Sequence, residues 1–214
     1  MIPFLLVLSA PSGGGKTTIA RALLAAREDL GFSVSATTRA PREGERDGEA
    51  YWFLTPDQFA QRIAADEFLE WAEYGGQRYG TLRSEVDRVL AEGRHVVLDV
   101  EVQGARQIRT RCQNVVSVFI LPPSARALVA RLGGRKTEHG AELARRLRRA
   151  LEELDEAAGY DYVVINADKT QAVAEVAAII DAEARRPTRQ PELEATLRSM
   201  VRDLADLAAA TERT

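Results

Sequence analysis

The run Ser9-Ala10-Pro11-Ser12-Gly13-Gly14-Gly15-Lys16-Thr17-Thr18 constrains this chain more than any other segment. It comes straight off the apolar run Phe4 to Leu8 and leads into the helical pattern Ile19 to Arg27, the order strand, glycine loop, helix. Glycines let consecutive backbone N–H groups turn inward around phosphate oxygens, and the helix N-terminus adds partial positive charge. The pattern assigns Ala10 to Thr18 to the phosphates of a nucleotide, with Lys16 reaching the β and γ groups and the Thr17 hydroxyl on a magnesium ion. The general pattern begins with glycine; alanine at position 10 serves if that residue needs no positive φ. The loop by itself does not separate a kinase from a GTPase or a motor.

Four short apolar runs, Phe4 to Leu8, His95 to Val100, Val115 to Leu121 and Tyr162 to Ile165, lack the alternation of half-solvated strands and are separated by helical patterns. They predict an α/β core: a parallel sheet covered by helices on both faces. Asp99, in Val97-Leu98-Asp99-Val100-Glu101, leaves its strand at the edge where ligands of such sheets collect, which suits a magnesium-linked acid. With 214 residues, 45% of them hydrophobic, the chain supports one core with inserted lobes. A net charge of -3 gives no reason to expect nucleic acid or an acidic membrane, so a polyanion must be met by local arginines.

Cys112 is the only cysteine and His95 and His139 stand far apart, which excludes an intrachain disulfide and argues against a metal cage. The apolar start Ile2 to Leu8 has no basic segment before it and reads as a buried strand. No apolar run approaches the ~20 residues that span a bilayer, so the expected location is cytoplasmic.

Between the first two strands, residues 32–81 are rich in aromatic residues and turn signals such as Arg46-Asp47-Gly48 and Gly75-Gly76, and predict an inserted, partly β lobe. Within it, Thr37-Thr38-Arg39-Ala40-Pro41-Arg42 sets two guanidinium forks three residues apart, suited to a dianionic phosphate. Tyr51 and Tyr79 can add hydroxyl donors, although an arginine pair in a loop is usually solvated surface. A helical pattern opens at Ser124, is interrupted at Gly133-Gly134, and resumes from Ala141 to Glu156 with arginines at 145, 146, 148 and 149. After Arg185-Arg186-Pro187, Leu193, Leu197, Met200, Leu204 and Leu207 form one helical stripe that needs cover, from the protein's own body or from a second copy.

In order along the chain, these segments resemble the guanylate kinase family: Ser9 to Lys16, Phe32-Ser33-Val34-Ser35, Thr37-Thr38-Arg39 with Pro41-Arg42, and Gly48 with Tyr51 and Phe53. There follow Phe68-Leu69-Glu70, Tyr79-Gly80-Thr81, Leu98-Asp99 with Gln103-Gly104, and Ile120 to Ser124. The resemblance spans about Phe4 to Glu183. It implies a catalytic unit over 1–186, built from a P-loop core, a GMP-binding lobe at about 32–81 and a mobile lid at about 124–150, with residues 187–214 as an appended tail.

It further implies transfer of the γ-phosphoryl group of ATP to GMP with magnesium. Arg39, Arg42, Tyr51 and Tyr79 would hold the GMP phosphate, while Ser35, Glu70 and Thr81 would read guanine. A carboxylate can accept from N1–H and the 2-amino group together, which makes Glu70 the specificity residue. Arg135 and Arg146 would reach the ATP phosphates, and Asn166, with Asp168, would lie beside adenine. Three places depart from the family pattern: Glu101, assigned to the GMP site, stands where many members have aspartate; Ala167 stands where an acid is common; and Gly133-Gly134-Arg135-Lys136 is unusually glycine-rich. Two other readings compete, a catalytically inactive guanylate-kinase-like module that binds proteins, and a relative acting on a sugar phosphate. The first should show a damaged P-loop, and here Lys16, Thr17 and Asp99 are present.

Overall fold

Three of the four strands that read as unbroken apolar runs are buried on both faces, because helices cover the sheet they form from each side; the fourth, Tyr162–Ile165, leaves Val163 and Ile165 exposed at the sheet edge. The computed structural model describes residues 1–133 and 140–211. Its elements are β1 (Leu5–Ser9), α1 (Lys16–Ala26), β2 (Leu30–Phe32), β3 (Ser35–Thr37), β4 (Trp52–Phe53), α2 (Pro56–Ala64), β5 (Phe68–Tyr74), β6 (Gln77–Leu82), α3 (Arg83–Ala91), β7 (His95–Asp99), α4 (Val102–Arg111), β8 (Val115–Leu121), α5 (Ala125–Gly133), α6 (Gly140–Asp155), β9 (Tyr162–Ile165), α7 (Lys169–Ala184) and α8 (Leu193–Thr211). The main sheet runs β2-β7-β1-β8-β9, every pair parallel. Four of these strands are the predicted apolar runs. The fifth, β2, has only three residues and pairs at the edge beside β7, too short to show a pattern of its own.

Side chains alternate across β1. Leu6 and Leu8 join Ile19 and Leu23 of α1 and Val176 and Ile180 of α7 in one cluster. Leu5 and Val7 join Val86 and Val89 of α3 and Val102 and Ile108 of α4 in the other. Two apolar layers therefore clamp the central strand, and the loop that follows it starts from a fixed point.

The predicted lobe is a second sheet, β4-β3-β6-β5, in which β3 and β5 flank β6 antiparallel. It has its own small core, Ala36, Phe59, Phe68 and Leu82, with Trp52 and Trp71 packed against it. The Phe59 and Phe68 rings stack 4.3 Å apart. Thr55 opens α2 with a reciprocal capping box to Gln58, followed by Pro56 in the first turn. A register shift between Phe68 and Glu70 bends β5 at the residue that the site needs.

The glycine interruption falls where α5 ends at Gly133; Gly134, Arg135, Lys136 and His139 lie outside the described residues. His95 is a core residue whose Nδ1 accepts the Phe4 N–H at 3.1 Å. Among the described residues no helix is long and apolar enough to cross a membrane. The tail is helical as its stripe predicts, and of the two covers open to that stripe, the protein's own body or a second copy, the first is not provided within the single chain. Leu197, Met200, Leu204 and Leu207 are each more than half exposed, because α8 leaves the core after a one-turn helix at Pro187–Arg189.

Candidate active site

The loop of residues 10–15 emerges from β1 between β7 and β8, where connections leave the sheet in opposite directions and a crevice opens. The Gly14 N–H closes it by donating to the Pro11 carbonyl at 2.7 Å. Gly15 sits at φ 97°, and a Cβ there would lie 2.3 Å from Asn166 Nδ2, so both backbone and space demand glycine. Ala10 is buried and does not have a positive φ, which is why alanine is accommodated at the first position of the pattern.

Lys16 and Thr17 open α1 and meet the end of β7. Lys16 Nζ donates to the Val100 carbonyl at 2.8 Å and lies 3.1 Å from Asp99 and 3.3 Å from Glu101. Burial works to lower its pKa, but the Glu101 and Asp99 carboxylates more than offset that and hold the ammonium firmly charged. Thr17 Oγ1 donates to Asp99 Oδ2 at 2.7 Å. A hydroxyl and a carboxylate this close are hard oxygen donors of the kind magnesium takes when phosphates and water complete its shell. Among the described residues no group of three or more His, Cys, Asp or Glu could hold a metal by itself.

Ser12 is held from α6: its N–H donates to Glu153 Oε2 at 2.9 Å, and its hydroxyl accepts from Arg146 Nη2 at 3.4 Å. Arg146 also donates to the Leu132 carbonyl at 3.2 Å. The buried Asn166 amide donates to the Gly14 carbonyl at 2.9 Å, so this residue shapes the loop from beneath. Asp168, expected beside adenine, accepts the Gln171 N–H as the N-cap of α7. Thr18 continues α1, its N–H donating to the Gly15 carbonyl.

Across the crevice the second sheet presents a row. Ser35, Thr81 and Glu70 are register partners on β3, β6 and β5. Thr81 Oγ1 donates to Glu70 Oε1 at 2.7 Å. Glu70 is 5% exposed, and burial, only partly offset by the Thr81 hydroxyl and N–H, lifts its pKa to about 6. Gly104 on α4 makes room for it: a Cβ at that position would lie 2.2 Å from Glu70 Oε2.

Nearby, Arg39, Arg42, Tyr51 and Tyr79 line a cavity that also contains Thr17 and Asp99. The Tyr51 and Tyr79 rings meet edge to face at 6.0 Å, and the Arg39 guanidinium lies 5.3 Å over Tyr51. Burial raises the Tyr51 pKa, keeping its hydroxyl a donor. A neighbouring cavity brings Lys16, Ser35, Glu70, Tyr79 and Glu101 together.

Four further residues complete the arrangement; the sequence gives none of them a role, and Arg149 stands there only as one of a run of helical arginines. Glu45 accepts from Arg39 Nη2 at 2.9 Å. Arg131 donates to the carbonyls of Gly14 and Asn166. Glu153 holds Ser12, and Arg149 lies in the crevice wall. Arg131, Arg149 and Glu153 look like ordinary charged helix positions; the return of α5 and α6 gives Arg131 and Glu153 their loop partners and sets Arg149 over Tyr74.

The family model described as guanylate kinase matches residues 3–183. Guanylate kinase from Symbiobacterium thermophilum is 50% identical over 185 residues, covering 86% of this chain and 88% of that protein. Guanylate kinase from Sphingopyxis alaskensis is 44% identical over 203 residues, 94% and 92% of the two chains. Among solved structures, the guanylate kinase of Anaplasma phagocytophilum superposes with a TM-score of 0.73 at 32% identity, covering 92% of this chain and 95% of that one. A glycine loop facing a carboxylate-lined pocket, together with these matches over nearly the whole length, establishes that the chain belongs to the guanylate kinase family.

Proposed function

We propose that this chain transfers the γ-phosphoryl group of ATP to GMP, giving ADP and GDP. The observation that carries the reading is a single crevice in which Lys16, Thr17 and Asp99 face the Ser35–Thr81–Glu70 row. The loop backbone over residues 10–18 would receive the ATP phosphates, and Lys16 would exchange Asp99 and Glu101 for β- and γ-phosphate oxygens. Thr17 and Asp99 would hold magnesium, which supplies charge neutralisation between those oxygens. Arg39 and Arg42, with the Tyr51 and Tyr79 hydroxyls, would fix the GMP phosphate. Glu70, oriented by Thr81 and neighboured by Ser35, would accept from guanine N1–H and the 2-amino group.

Catalysis here needs no general base, because the attacking acceptor oxygen is already ionised; alignment and neutralisation carry the rate. Arg146, already on Ser12, would bear on the transferring group, and Arg135 would join it. Asn166 contributes by bracing the loop at Gly14. Glu101 stays close to Lys16 and lines the acceptor side. Residues 1–186 would form the catalytic unit, with lobe 32–81 and lid 124–150, and 187–214 a separate tail. A reducing, cytoplasmic setting suits the lone Cys112 thiol.

The test is ADP release with magnesium-ATP and, separately, GMP, AMP, CMP or UMP. Turnover should occur with GMP alone. Glu70→Ala should lower kcat/KM for GMP by about 10²-fold, since two hydrogen bonds to a charged acceptor are lost. Turnover with a sugar phosphate instead, or with no acceptor at all, would overturn the proposal.

A further inference from the structure

Arg149 has two partners that the reaction scheme does not use. Its guanidinium carbon lies 3.7 Å over the Tyr74 ring at the tip of β5, and its Nε donates to Glu153 Oε1 at 2.8 Å. Glu153 is 5% exposed, and its other oxygen accepts the Ser12 N–H of the phosphate loop. Four side chains or backbone groups thus run without a gap from the acceptor lobe, through α6, to the loop that cradles ATP.

We propose that Arg149 is a positioning residue that makes the two substrate sites reinforce one another, through the relay Tyr74–Arg149–Glu153–Ser12. The inference rests on the assignment of GMP to the lobe and ATP to the loop. A planar guanidinium can stack on a ring with its face while donating from its edge. Lysine has no such geometry. Glu153 divides its two oxygens between Arg149 and Ser12, and a buried carboxylate that loses a partner is left undersatisfied. A shift of the lobe that lifts Tyr74 off Arg149 is therefore felt at Ser12, two residues ahead of the glycine turn at Gly14. Conversely, a loop drawn into its phosphate-bound shape fixes Glu153 and Arg149, and holds the lobe where Glu70 reads its base. Such coupling is reciprocal by thermodynamic necessity.

Calorimetry on the full chain tests this, with the GMP Kd measured alone and with a saturating non-hydrolysable ATP analogue. In the wild type the analogue should tighten GMP binding by roughly 5-fold or more, within the usual range of coupling between sites. Arg149→Lys and Tyr74→Leu attack opposite ends of the relay, and each should bring that factor below about 2-fold. Tyr74→Phe keeps the ring and should keep the factor. Coupling unchanged in both disrupting variants would overturn the relay. So would weaker GMP binding by the same factor with and without the analogue, which marks a direct substrate contact. A wild type that binds both ligands independently also overturns it, whereas one that binds neither removes the substrate assignment itself.

Discussion

Lys16 and Arg39 are both cations assigned to phosphate, and both rest against carboxylates, yet they acquire those partners by opposite routes. Glu101 lies 85 residues from Lys16 in the sequence, and it arrives because β1 and β7 pair in parallel, Leu8 beside Asp99. Glu45 lies six residues from Arg39 and arrives through a local turn, in which it also accepts the Arg42 N–H at 2.8 Å. The cation at the donor end is thus partnered through the core, and the cation at the acceptor end through local chain geometry. The first should be intolerant of change and the second adjustable.

Lys16→Met puts the greatest strain on that contrast. It removes the charge that meets the developing negative charge on the transferring group, and kcat should fall roughly 10³-fold. The GMP Kd, measured by calorimetry, should move far less. A comparable loss of GMP affinity would mean that the two ends are not separable in this sense.

The next largest effect is a pH dependence. Because burial raises the Glu70 pKa to about 6, the carboxylate that accepts from guanine is present above that pH and is protonated below it. At pH 5 GMP affinity should be about tenfold weaker than the fully ionised limit, from one pH unit below the pKa. The acceptor's own phosphate titrates in the same range, so the readout is the difference between wild type and Glu70→Gln. Matching pH profiles for the two would show that Glu70 is not reading the base.

Glu45→Gln should have the smallest effect and the opposite sign. The Arg42 N–H and the Arg39 guanidinium hold the Glu45 carboxyl below the usual carboxylate range. Neutralising it releases Arg39 from a competitor, and the KM for GMP should drop by no more than about fivefold, the span of an ion pair that water still reaches. An increase in KM would instead identify Glu45 as the residue that aims Arg39, making the acceptor end as dependent on its partner as the donor end.

The same difference explains what could be seen in the sequence. The glycine loop and the four apolar strands are local signals, and each lies where the sequence pattern sets it, the loop between β1 and α1 and the runs in β1, β7, β8 and β9. The place of Asp99 at the end of β7 was legible because a strand end is itself a local feature. The β2 strand was not, having too few residues for a period. Glu153 and Arg131 were hidden because a helix surface position reads as solvated until its neighbour in space is known. The solvent-facing stripe of α8 shows the reverse: periodicity names the apolar side of a helix without naming what it faces.

Gly104 lies inside α4, where glycine is less favourable than alanine by about 0.8–1.0 kcal/mol. A programme of thermal stabilisation that replaces helical glycines with alanine would mark this position as an easy gain. The added methyl would lie 2.2 Å from Glu70 Oε2, so any gain in helix propensity would be set against displacement of the buried carboxylate proposed to read the base. A glycine that looks like a flaw in the helix is thus the space in which a neighbouring side chain sits.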